Sequence, residues 1–336
     1  MRIRLLLTFV VLCTAFNNIY AQELEGNLNF HGFADNREYA RSKRFSETIF
    51  GMRISPEVGL LLDSTHRIRL GVNLMHEFGS PKFSKQVAIV AYYQFLKKDW
   101  NFYMGAFPRE GLISDFPRAI LNDTLNYYRP NVEGMLVKYE NENWKQIVFI
   151  DWTSRQTATA RENFIFGFSG RYKKDAFFVS HYAMMLHNAG PAIPIPDDHI
   201  QDNGAAAVKI GLDLSHKTFL DSLTLSAGGM MSFERTRTAG GWQTPKGILL
   251  DLSMEYHRFG ITNSFYKGEG HQLIVGDKFY TSKTYNRTDL TWRPIIYKNL
   301  EGKLALSFHF VDGVIDSQQA FGLRYNLFGS RSLKRK

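Results

Sequence analysis

The chain has 336 residues, a formal net charge of +9 from 41 lysines and arginines against 32 acidic residues, and one cysteine. A single cysteine excludes a disulfide framework, and a mean hydropathy of −0.26, with no apolar run of spanning length after the first residues, excludes a helical membrane protein. A charge excess of this size does not by itself select a partner, and nothing in its placement points to nucleic acid.

In chain order, Arg2 and Arg4 form a basic start, residues 5–15 an apolar run, and Ile19-Tyr20-Ala21 a cleavage site before Gln22. Residues 1–21 therefore read as a secretory signal peptide, because the run is too short for a spanning helix and polar residues follow at once. Cys13 lies inside it, so the mature chain is expected to carry no thiol, disulfide or thiol-linked lipid.

From residue 25 to residue 328 one rhythm repeats: a segment of about ten residues alternates apolar with polar, then a turn or loop follows. It is clearest in residues 67–73 (RIRLGVN), 206–214 and 303–310, where the even-numbered residues are the apolar ones. Strands that face lipid with every second residue hide behind a polar average hydropathy. Aromatic content of 14% and 27 glycines fit interfacial girdles and strand bends. A secreted β-sandwich would rarely carry so many alternating strands in one run.

Short turns are predicted at residues 63–66, 96–99, 141–143, 173–175, 215–221, 258 and 297–302. Longer connections are predicted at 36–46, 77–84, 108–129, 153–161, 188–203, 234–247, 267–286 and 312–317. This order predicts an all-β fold, a transmembrane antiparallel up-and-down β-barrel of about sixteen strands, fourteen or eighteen being the neighbouring even counts. Short turns belong in the periplasm, which places both termini there. The domain plan is residues 1–21 signal peptide, 22–328 barrel, and 329–336 a basic periplasmic tail.

The third long connection is the candidate pore constriction. It carries Arg109, Glu110, Asp115, Arg118 and Asp123, which would set a transverse field, and Tyr127 and Tyr128, whose faces suit sugar-like solutes. Its apolar residues Leu112, Ile113, Phe116, Ile120 and Leu121 argue against disorder, and an ordinary loop packed over the mouth is the plainer alternative. Facing rules send Arg53, Arg67, Arg69, Arg171, Lys209, Arg287, Arg293, Lys303 and Arg324 into the lumen, against Glu57, Asp213, Asp251, Glu255 and Asp289. Removing the signal peptide leaves +7, and removing the four basic tail residues leaves +3. The lumen therefore leans basic, with a weak anion preference for the whole pore and pairing with carboxylates as the first role of each arginine.

The last strand places apolar residues at each odd position from Phe321 to Leu327 and closes on Phe328. It resembles the C-terminal strand that barrel-assembly machinery recognises, and with the strand count the chain resembles a Gram-negative outer-membrane porin in architecture. The resemblance implies passive diffusion of small hydrophilic solutes, an outer-membrane location among lipids, no cofactor, and a homotrimer or a periplasmic partner. Residues 329–336 depart from it, since porins commonly stop at the aromatic. A non-transporting subunit of a larger complex is the alternative function.

Weaker constellations complete the reading. Asp197, Asp198, His199 and Asp202 fit no metal-loop spacing, and the other histidines are scattered, so no metal is expected. Residues 267–271 (KGEGH) are glycine-rich but precede no helix, which removes the context for phosphate binding. Asp151, Ser154 and His187 lie toward one rim without a motif joining them, so the chain is expected not to be an enzyme.

Overall fold

The computed structural model describes residues 22–81, 86–194, 200–238 and 240–332. The expected signal peptide, residues 333–336 of the tail, and Asp197, Asp198 and His199 lie outside the described residues. The strands are β1 (Gln22–Glu38), β2 (Glu47–Leu62), β3 (His66–Glu77), β4 (Gln86–Lys97), β5 (Trp100–Pro108), β6 (Asn131–Glu140), β7 (Trp144–Ser154), β8 (Asn163–Lys174), β9 (Phe177–Asn188), β10 (Gln201–Asp213), β11 (Ser222–Thr236), β12 (Lys246–Tyr256), β13 (Phe259–Gly268), β14 (Thr284–Tyr297), β15 (Leu300–Val311) and β16 (Val314–Ser332). Each pairs antiparallel with its neighbours in sequence and β1 pairs with β16, closing a sixteen-stranded barrel. Closure leaves no edge, which is what a sheet surrounded by hydrocarbon requires.

The alternation resolves into two faces. Ile68, Leu70, Val208, Ile210 and Leu212 are exposed on the outside, while Asn73, Gln94 and Ser180 from the opposite parity are buried within. Three features depart from expectation. The strand β16 runs four residues past Phe328, because β1 offers partners as far as Glu23, which faces Ser332. Residues 329–332 are thus barrel wall, and the tail is shorter than expected. Phe328 takes the opposite parity from Phe321 to Leu327, and Arg69 lies 5.6 Å from its ring centroid, so this aromatic leaves the lipid-facing series. The connection expected at 312–317 is a two-residue turn of Asp312 (φ 51°) and Gly313 (φ 81°) between paired Val311 and Val314. An Asp-Gly pair adopts this left-handed turn because its twist matches the flanking strands.

Two loops at the opposite end from the termini fold into the barrel. Residues 109–130, with one turn of helix α1 (Leu125–Tyr128), bury Ile113, Phe116, Ala119, Ile120 and Leu121 against inward residues of the wall such as Val90, Leu136, Phe149 and Leu249. Phe116 meets Phe149 and Tyr182 at ring separations of 5.9 and 5.7 Å. Residues 269–283 bury Leu273, Phe279 and Tyr280. The loops join each other through Asn122 N to Val275 O (2.8 Å) and Asp277 N to Arg118 O (2.9 Å). Each large apolar side chain in this plug contributes about 1.5–3 kcal/mol of burial. The lumen therefore holds an apolar cluster beside its polar groups.

Candidate functional site

The charged residues expected at a constriction act mainly as braces. Arg109, 3% exposed, pairs with buried Asp151 and donates to the carbonyls of Arg129 (2.9 Å) and Asn131 (3.1 Å), tying down the root of the loop. Glu110 contacts Arg324, and Asp115 holds Lys145 at 3.1 Å. Arg118 bridges Asp123 (3.3 Å) and Asp289 (3.4 Å). Burial disfavours the charge of Asp123, yet Arg118, Arg287 and Arg37 together hold its carboxyl below the usual range. Burial raises Asp277 above that range. Tyr127 and Tyr128, both partly buried, pack against Phe33, Ile49 and Met75.

The wall charges pair too. Arg67 and Arg69 both reach Glu25 at 3.0 Å, and Arg69 reaches Glu57 at 3.3 Å. Arg171 lies 3.4 Å from Asp213, Lys209 2.7 Å from Asp251, Arg287 2.7 Å from Asp289, and Arg293 2.7 Å from Glu255. Arg53 has no carboxylate partner among the described residues and instead donates to the carbonyl of Asn126 at 3.0 Å.

A chemically distinct cluster sits where β11 meets the second inward loop. Met230, Ser232 and Glu234 point inward from β11 and are all buried. Ser232 Oγ lies 2.7 Å from His271 Nδ1 and 2.5 Å from Glu234 Oε1, and the Gln272 amide donates to the same carboxylate oxygen at 2.8 Å. The loop reaches this position through Gly270 (φ +86°), where a Cβ would meet the Thr281 carbonyl oxygen at 2.4 Å. Burial lowers the His271 imidazole to about 4, against the opposing charge of Glu269, so it is neutral at pH 7. Its Nε2 is buried without a hydrogen-bond partner among the described residues. A serine hydroxyl with a neutral imidazole and a carboxylate in reach has the composition of an activated nucleophile. Two open cavities flank it, one lined by Asp202, Glu234, Gln243 and Gln272, the other by Glu234, Lys246, Glu269 and Gln272.

Sequence reasoning missed this cluster. Alternation places Ser232 on the inner face, and the glycines before His271 mark an unusual loop, but 39 residues separate the pair and no motif joins them. The residues weighed for chemistry, Asp151, Ser154 and His187, are not brought together. Asp151 is held by Arg109, Ser154 Oγ donates to the Arg161 carbonyl at 2.7 Å, and His187 stacks on Phe164 at 4.5 Å.

Comparison with solved structures shows the porin fold. The chain is similar to an OmpT loop-deletion mutant of Vibrio cholerae (TM-score 0.57, 7% identity, 92% of this chain and 100% of that one). It is also similar to Salmonella typhi OmpF in complex with daunomycin (TM-score 0.53, 11% identity, 90% and 97%) and Pseudomonas aeruginosa OccK11 (TM-score 0.51, 10% identity, 91% and 96%). No curated protein sequence is a significant match. The porin resemblance thus holds for architecture. In sequence, residues 16–328 match the family described as Lipid A 3'-O-deacylase-type. That match overturns the expectation of a barrel without catalysis.

Proposed function

Because the chain belongs to the lipid A 3'-O-deacylase-type family, we propose that it is an outer-membrane hydrolase that removes an O-linked acyl chain from lipid A. The observation that carries this reading is the 2.7 Å contact between Ser232 Oγ and His271 Nδ1 at the long-loop end of the barrel. With the long loops outward, as bacterial barrels keep them, this end meets the leaflet that carries lipid A.

In this reading the Ser232 hydroxyl, which donates to Glu234 Oε1 in this structure, turns to His271 Nδ1 and gives it the proton while Oγ attacks the ester carbonyl. A serine acyl–oxygen bond forms, the ester bond to the sugar breaks, and the sugar oxygen takes the proton from His271. Water then attacks the acyl-serine, its proton passing through His271 back to Ser232 as the fatty acid leaves. Glu234 holds the hydroxyl, and Glu269 supplies the negative charge that favours the imidazolium as it forms. Ser232 is fully covered, so the segment 270–272 has to lift before an acyl chain reaches it. Ser232→Ala and His271→Gln are each expected to lower ester cleavage by about 100-fold or more with the barrel still folded. Unchanged turnover in Ser232→Ala sinks the assignment.

A second reading, passive diffusion of small hydrophilic solutes with a weak anion preference, is favoured by a barrel of this strand number, wide enough for an aqueous lumen. Cavities of about 340 and 280 Å³ beside the first inward loop are its specific support. The apolar plug weighs against a wide pore. Conductance in a planar bilayer decides it: steady open-channel currents from the intact protein support this reading, and silence rejects it.

A further inference from the structure

Three adjacent strands carry basic residues at one level of the wall. His31 of β1 faces Arg53 of β2 on one side and Arg324 of β16 on the other. All three line a polar cavity of about 280 Å³ between the wall and the root of the first inward loop, together with Glu57, Asn73 and Glu110. The two arginines thus flank one histidine, and a sheet that gathers basic side chains at one level needs a counter-charge to hold them there.

The cavity holds two arginines and two glutamates, yet neither glutamate serves Arg53. Glu110 is engaged by Arg324, and Glu57 by Arg69. Among the described residues, Arg53, 8% exposed, is left with only the backbone carbonyls of Asn126 (3.0 Å) and Tyr127 (3.5 Å). Carbonyl dipoles satisfy two N–H directions but supply no net negative charge, and a buried charge is costly unless paired. His31 Nδ1, also buried, has no hydrogen-bond partner among the described residues. A guanidinium presents a planar fork of donors that matches a carboxylate or a phosphate oxygen pair.

We propose that this cavity binds a small oxyanion, with Arg53 as its principal partner, Arg324 as the second positive charge and His31 Nδ1 as a polar group between them. Glu110 is then a competitor that occupies Arg324 and weakens the site. The site lies apart from Ser232 and His271 and does not depend on the hydrolase reading.

The test is isothermal titration of the folded, full-length barrel in detergent at low salt, with inorganic phosphate in one arm and acetate in the other. Saturable binding of at least one anion is expected, and which arm binds identifies the oxyanion class. Arg53→Gln is expected to weaken that binding about tenfold or more, since hydrogen bonds to charged groups carry this much. Glu110→Gln is expected to tighten it and keeps the test decisive if the Arg53 variant does not fold. Absence of saturable binding in both arms, or an unchanged affinity in Glu110→Gln, overturns the proposal.

Discussion

The amide of Asn122 donates to the carbonyl of Val275 at 2.8 Å, joining two loops that enter the lumen 153 residues apart in sequence. With the reciprocal contact from Asp277 to Arg118, this makes one plug of two segments, and the plug rather than the wall sets what the barrel can do.

If the plug closes the lumen, removing its larger half opens it. Deleting residues 111–126 should convert a barrel of little conductance into one with large, steady currents in a planar bilayer. Equal currents before and after the deletion contradict the plug.

Packing predicts a graded cost. Phe116 is 7% exposed and contacts two aromatic rings, so Phe116→Ala should lower stability by about 3–5 kcal/mol, the range for a phenylalanine removed from a filled core. The readout is the denaturant midpoint of the refolded barrel. A shift of a few tenths of a kcal/mol means that the loop does not pack as described.

The same loop root supplies an electrostatic test. Asp151 is 1% exposed and depends on Arg109 for its counter-charge, so Arg109→Met should destabilise by about 3–5 kcal/mol. Adding Asp151→Leu should recover much of the loss, because the stranded charge is gone. A double-mutant cycle measures this coupling, and strict additivity rules it out.

These features divide by how far the sequence discloses them. The barrel, its strand count and its two faces are legible because the lipid–lumen alternation acts locally on each strand, as in Ile68, Leu70 and Val72. The apolar residues Ile113, Phe116 and Ile120 also announce a loop that seeks burial. What alternation cannot disclose is which lumen residues meet across the barrel. Ser232 and His271 are both inward, yet their contact depends on a loop path fixed by Gly270 and by packing around Tyr280. Arg53 reads as one more paired arginine until the register sets it beside His31 and leaves it without a carboxylate among the described residues. The parity of Phe328 is hidden for a similar reason, since pairing with β1 carries β16 past the aromatic.

A pH dependence follows from His271. Its folded-state value of about 4 lies below its ordinary 6.5, so the opened or unfolded state binds more protons between these limits. Stability is full above pH 6.5 and falls as pH drops from 6.5 toward 4, with no further loss from this group below that. Thermal midpoints of the wild type should decline across this window by more than those of His271→Gln. Parallel profiles contradict a buried neutral imidazole.

The most direct measurement is the mass of lipid A recovered from vesicles after incubation with the purified barrel. The account predicts loss of one acyl chain, with the freed fatty acid detected in equal amount, and no change with Ser232→Ala. Lipid A of unaltered mass with the folded wild-type protein, or equal cleavage by wild type and Ser232→Ala, contradicts it.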